Sequence, residues 1–359
     1  MKKKLALLLA LSLTVSSLLT GCGGSEGAEQ PAAEGKHENV DVELLAASST
    51  VQNVGIAIAD VITKNSGFIR MAATGTNSSE ANIVQMLEKD EHTNTFYMTS
   101  AAPYISAKTG IGAFKDYEPC QDQRLVAAML YGVNGFVTTD PSIKSLSDLD
   151  GKKVAMFADE LPQQMAKAAF DILGINVEIK TLTFSDQFTA LSDGLVDACL
   201  YLGTGLPNGE PLVPASPLQE LIANKGGKVY AVTFPADLQA EAVTKAGLDG
   251  KWAYSPIICP AGSLQETDTE SFEAYGSVTA LVACWADTDE EVVYEFTKTL
   301  CEKYADLGNY MTELKPITPS LMLSMLYMAE GEEDIHPGAL RYYKEAGLWP
   351  SVWEEANSK

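Results

Sequence analysis

Short runs of hydroxyl, amide and glycine residues recur along this chain, and they offer hydrogen bonds rather than reactive nucleophiles. Thr74, Gly75, Thr76, Asn77 and Ser78 stand together just before an apolar helical stretch. Ser49 and Thr50, and then Thr99 and Ser100, occupy similar places between apolar runs. Such groups can hold a small polar molecule through paired donors and acceptors. The same residue types also turn the chain and cap helices, so binding and capping are both open for this set. A second set comprises Asp159, Gln163, Phe184, Tyr201, Gly203 and Thr204. Here Tyr201 adds a ring and a hydroxyl to amide and backbone groups, with an ordinary strand terminus as the plain alternative.

Residues suited to bond-breaking chemistry are scarce. The three histidines are His37, His92 and His336, and no two cysteines have zinc-ligand spacing. His92, between Glu91 and Thr93, is expected in a solvated turn, and His336 as a packing residue at a helix start. No GxSxG, HExxH or P-loop pattern occurs, so no enzyme activity, metal or cofactor is expected. The arginines are Arg70, Arg124 and Arg341. Any of them could clamp a carboxylate if buried, but Arg124 and Arg341 read better as structural ion-pair residues. With 25 Lys+Arg against 48 Asp+Glu the chain carries a net charge of −23. That balance argues against nucleic acid and against an anionic membrane surface as partners.

The elements that must position these groups alternate strand, loop and helix. Strands are expected at 42–46, 68–73 and 95–99, with helices at 53–64, 80–89 and from Ser100 to near Gly110. A strand-rich stretch spans 125–137. A second series follows through 163–173, 177–182, 187–193, 198–202, 218–223 and 228–234, and 255–275 is irregular. A strand at 278–285 and a helix at 289–303 lead into the C-terminal helices. This pattern predicts an α/β fold of two lobes, each a mostly parallel sheet flanked by helices, with a ligand cleft between them. The lobes are expected at 41–137 and 138–275, with 276–359 returning to the first. In such sheets ligands collect beyond the carboxyl ends of strands, where the polar runs fall.

The first residues have a separate logic. Lys2, Lys3 and Lys4 precede an apolar run from Leu5 to Leu19, followed by Thr20-Gly21-Cys22. A basic start, a short apolar run and small residues make a secretory signal over 1–21. Leu19-Thr20-Gly21-Cys22 resembles the bacterial lipobox, which implies lipid on Cys22. Residues 22–40 are rich in Gly, Ala and Glu and read as a flexible tether. The expected location is extracytoplasmic, lipid-anchored to the cell membrane, on the outer face of the cytoplasmic membrane in a Gram-positive cell. Five cysteines remain, of which Cys199 and Cys284 lie in apolar runs and read as buried core thiols.

Ile335-His336-Pro337-Gly338-Ala339-Leu340-Arg341-Tyr342-Tyr343-Lys344-Glu345-Ala346-Gly347 resembles the C-terminal signature of TAXI-type solute-binding proteins of TRAP (tripartite ATP-independent periplasmic) transporters. Pro141 to Val154, Leu195-Val196-Asp197-Ala198 and the segment from Val293 to Leu300 are similar to further passages of that family, and the likeness spans roughly residues 42–349. The resemblance implies a periplasmic-binding-protein fold of type II, a monomer, a small carboxylate or amino-acid-like solute, and a TRAP-type permease as partner. Two stretches depart from the family pattern. Ser48 to Asn53 replaces a Gly-rich, Tyr-containing loop, and Phe157 to Gln164 replaces a Gly/Ser turn. Asp159 and Glu160 would favour a helix start but repel an anion there, so a zwitterionic, amine-bearing or neutral ligand suits that edge better. The alternative reading is a binding lipoprotein of an ABC importer of the NMT1/SsuA-like type, taking an aromatic, sulfonate or thiamin-precursor ligand. An exported enzyme is a third.

Overall fold

The computed structural model describes residues 38–47, 50–157, 160–207, 212–247 and 254–357. Cys22, the signal segment, most of the tether, Ser49 and Asp159 lie outside the described residues.

The chain begins with three strand–helix steps: β1 (Val40–Ala47), α1 (Thr50–Asn65), β2 (Ile69–Thr76), α2 (Ser79–Leu87), β3 (Thr95–Thr99) and α3 (Ala101–Thr109). The reason is local. In α1, Val54, Ala57, Ile58, Val61 and Ile62 recur at helical spacing and are all buried. In β1, consecutive Leu44, Leu45 and Ala46 are all buried, because α1 and α2 both pack against this central strand. A long strand, β4 (Gln123–Asn134), closes this part.

A second series follows: β5 (Phe136–Thr138), β6 (Lys153–Phe157), α4 (Glu160–Leu173), β7 (Glu178–Leu182), α5 (Asp186–Ser192) and β8 (Ala198–Leu200). Then come β9 (Gly203–Gly205), β10 (Val213–Pro214), α6 (Ser216–Asn224), β11 (Tyr230–Val232), α7 (Ala236–Lys245), β12 (Ser255–Cys259) and β13 (Phe272–Trp285). Helices α8 (Glu290–Glu302), α9 (Tyr304–Leu307), α10 (Pro319–Ser324), α11 (Pro337–Glu345) and α12 (Ser351–Asn357) complete the chain.

These strands form two sheets. The larger has the order β10-β9-β4-β13-β3-β1-β2, with β12 also on β13; the smaller is β11-β5-β8-β6-β7. The two-lobed α/β architecture is the expected one, but the sheets are mixed rather than mostly parallel. Pairing is parallel where a helix returns the chain, at β1–β2, β1–β3, β6–β7 and β6–β8. It is antiparallel around β13, which runs against both β3 and β4, and around β5.

The chain passes from the larger sheet to the smaller at Gly135, between β4 and β5, and back at Tyr201–Leu202, between β8 and β9. The crossovers are tied together: the Tyr201 N–H donates to the Gly135 carbonyl at 2.9 Å and the Leu202 N–H to that of Val133 at 3.1 Å. Within 138–275, β9, β10 and β12 join the larger sheet. Residues 255–275, expected to be irregular, supply β12 and the start of β13. Ile257 and Cys259 point inward while Ile258 is exposed, and Pro256 is tolerated because β12 is an edge strand.

His92 is not in a solvated turn. It is buried, stacks on Trp285 at 5.1 Å, bonds the Met86 carbonyl through Nε2 at 2.8 Å, and meets Asp287 through Nδ1 at 3.0 Å.

Cys120, Cys199, Cys259, Cys284 and Cys301 are all free and buried. Burial raises each thiol, Cys259 and Cys301 to about 12. A thiol that stays protonated and covered does not attack reagents. The body of the native protein should therefore leave Ellman's reagent almost uncoloured over an hour, and release these five thiols at once in guanidinium. Rapid native labelling of more than one of them would contradict this packing.

Candidate functional site

A cavity of about 480 Å³ opens at the carboxyl ends of β1, β3 and β6, between elements of the two sheets. Its polar rim is built by helix starts. Thr50 opens α1 and lines the cavity beside Val51. Ser78 caps α2, its hydroxyl accepting the Ala81 N–H at 3.1 Å, and it lines the cavity with Asn77 and Ser79. Capping and lining thus hold together at Ser78. Buried Asn82 pins α2 to β3, donating to the Met98 carbonyl at 2.7 Å. Ser100 precedes α3 without capping it through its side chain, and lines the cavity with Ala102 and Pro103.

The smaller sheet contributes an aromatic corner of Phe157, Phe184 and Tyr201. The Phe184–Tyr201 centroids are 5.2 Å apart, and Phe157 lies 5.7 Å from each of the other two. All three pairs meet edge-on, the favoured arrangement for aromatic rings. Tyr201 has φ 109°, a left-handed conformation that a non-glycine residue rarely holds. It does so at a crossover whose backbone is fixed to Gly135, and its ring is held in the aromatic corner. Strain of this kind clusters at functional sites.

Of the residues singled out from sequence, Thr50, Asn77, Ser78, Ser100, Phe184 and Tyr201 meet around this cavity. The other described candidates lie elsewhere. Thr74 is exposed and donates to the Glu43 carboxylate at 3.0 Å. Gly75 lies under Gln52, whose Nε2 would be 2.5 Å from a Cβ added there. Thr76 keeps its hydroxyl buried in β2 outside the cavity wall, and Thr99 turns its own onto the Ser100 carbonyl at 3.2 Å. Gln163 donates to the Phe157 carbonyl at 2.8 Å and accepts from Lys167 at 3.1 Å, leaving Gln164 to face the cavity. Gly203 packs against the backbone of Val213, and Thr204 borders a separate depression of about 10 Å³ near Leu206 and Met325.

Sequence reasoning missed the floor. Leu130 and Asn134 of β4 and Ser277, Val278 and Thr279 of β13 line it. The available signal was Asn134, a lone polar residue inside the apolar run 125–137. Among the described lining residues Glu80 is the one acidic side chain, and there is no Lys, Arg or His. The arginines weighed as clamps are engaged elsewhere. Arg124 donates to the Gln121 carbonyl at 2.7 Å, and Arg341 pairs with Glu290 and Glu291 at 2.9 Å while covering the Tyr294 ring at 4.1 Å.

Solved structures of similar chains include MatC from Rhodopseudomonas palustris with bound malate. It is 13% identical over 89% of this chain and 99% of that one, with a TM-score of 0.47. Rpa4515 from R. palustris with adipate is 16% identical over 89% and 97%, with a TM-score of 0.48. A putative sulfonate-binding protein, SsuA from Methylobacillus flagellatus KT, is 13% identical over 88% and 97%, with a TM-score of 0.47. The sequence itself matches one family from β1 to the end of α11, over residues 46–347: the chain belongs to the NMT1-like family.

Proposed function

We propose that this protein is an extracytoplasmic solute-binding protein, which captures a small polar organic solute and delivers it to a membrane permease. The observation that carries this reading is the cavity itself. Helix starts rich in hydroxyl and amide groups face an aromatic corner contributed by the other sheet. Gly135 and Tyr201 join the two sides, so a hinge motion there could close them on a ligand that prefers the closed state. The lobes in this reading are 41–137 with 276–359, and 138–275. Lipid on Cys22 would keep the receptor near its permease; among the described residues no helix is long and apolar enough to cross a membrane.

The segment from Ile335 to Gly347 favours a TRAP-type permease. A binding lipoprotein of an ABC importer is the second reading, and the match to the NMT1-like family supports it at least as well. A thermal-shift screen of the purified protein against amino acids, carboxylates, amides and amines tests the binding role. A solute at ~100 times its dissociation constant should add about 2.7 kcal/mol. Phe184→Ala should then weaken that solute roughly tenfold, because an edge-on ring pair and its burial together contribute about 1–2 kcal/mol. Stabilisation by no solute, or turnover of one, would argue for a different role.

A further inference from the structure

Asn134 ends β4 on the cavity floor, opposite Tyr275 of β13 and near Ser277. It is 1% exposed, and neither its Nδ2 nor its Oδ1 makes a hydrogen bond within the described protein. A buried amide without partners is destabilising and uncommon in native proteins. This one belongs to the wall of the cavity that a solute would occupy. Both side-chain atoms are unpaired, so the conclusion does not depend on which way the amide is turned.

We propose that Asn134 reads the solute, and that the solute presents an uncharged, amide- or lactam-like edge: an acceptor for the Asn134 N–H and a donor for its carbonyl oxygen. This rests on the binding role above and narrows it to a substrate class. A carboxylate offers acceptors only, leaving Oδ1 facing another oxygen. It would also bring negative charge to a cavity whose described lining holds Glu80 and no Lys, Arg or His, in a chain of net charge −23. An ammonium offers donors only, leaving Nδ2 unpaired. An amide edge satisfies both atoms, and the corner formed by Phe157, Phe184 and Tyr201 suits a planar body. Sites that pair buried polar groups with a ligand discriminate strongly against analogues that leave them unpaired.

Matched amide and acid probes provide the test: nicotinamide against nicotinate, benzamide against benzoate, with uracil and benzylamine added, titrated calorimetrically into the whole protein. At least one amide or uracil should bind at least tenfold more tightly than the acids and the amine. Asn134→Leu should raise the melting temperature of the unliganded protein by roughly 2–4 °C, by removing an unpaired buried amide, and abolish that binding. Asn134→Ala, which adds no bulk, should also lose it tenfold or more. Tighter binding of an acid or the amine, or amide affinity within twofold of wild type in Asn134→Ala, would overturn the assignment. Binding of other solutes but of no amide or uracil would sink this inference and leave the receptor role standing. Binding of nothing in a broad screen would remove both.

Discussion

Replacing Gly338 by valine should leave almost no folded protein, and even Gly338→Ala should cost about 3 kcal/mol or more. Gly338 lies in the first turn of α11, where that helix crosses α8. A Cβ there would be 2.3 Å from the Glu290 carbonyl oxygen and 2.7 Å from the Tyr294 nitrogen. Both are backbone atoms at the start of α8, so no rotamer change relieves the clash. One helix must move off the other. The damage would spread, because α11 is fixed to the larger sheet by the Tyr343 hydroxyl, which donates to the Val126 carbonyl at 2.7 Å. Urea titration followed by circular dichroism measures the cost directly. A Gly338→Ala protein with an unchanged midpoint would mean that α8 and α11 are not in this close contact.

That glycine belongs to the HPGA stretch singled out from sequence, whose physical content is now apparent: it is a docking element. Other features were legible for local reasons. Ser78 before an apolar helical run announces a cap, and the strand–loop–helix steps show as shifts in apolar periodicity. Several of the candidate residues fall outside the cavity lining by small geometric steps. Thr74 reads as a loop residue when β2 is taken to end at Ala73; the strand continues to Thr76, and alternation turns Thr74 to the outer face. Gln163 and Gln164 differ by one helical step, about 100°, and only the second faces the cavity. The floor was illegible for a deeper reason. Asn134, Ser277 and Thr279 meet through the antiparallel register of β4 and β13, strands far apart in the sequence. No local pattern encodes that register. Charge within the cavity was similarly out of reach, since it depends on where Arg124 and Arg341 find their partners.

Acid should weaken this protein through His336 over a definite interval. The ring is 1% exposed at the N-terminus of α11. Its Nε2–H donates to the Thr288 carbonyl at 3.1 Å, and its Nδ1 accepts the Gly338 N–H at 3.2 Å. Only the neutral imidazole can do both, since a proton on Nδ1 would face the amide hydrogen it now accepts. Burial, opposed in part by the bond to Thr288, lowers the pKa from 6.5 to about 4. The unfolded chain therefore takes up the proton near pH 6.5, while the folded chain resists until about pH 4. Between those values the unfolded state binds more protons, so stability falls as pH falls. The neutral ring's contribution is intact above pH 6.5 and lost by about pH 4, a difference of about 3 kcal/mol. His336→Asn separates this from the titration of the many carboxylates. Asparagine can still cap Gly338 but cannot be protonated, so the variant should be less stable than wild type at pH 7.5. That gap should narrow or reverse by pH 4, as read from urea midpoints at several pH values. Parallel pH profiles for the two proteins would show that His336 stays neutral in both states or is charged in both, and would remove it as the source of acid sensitivity.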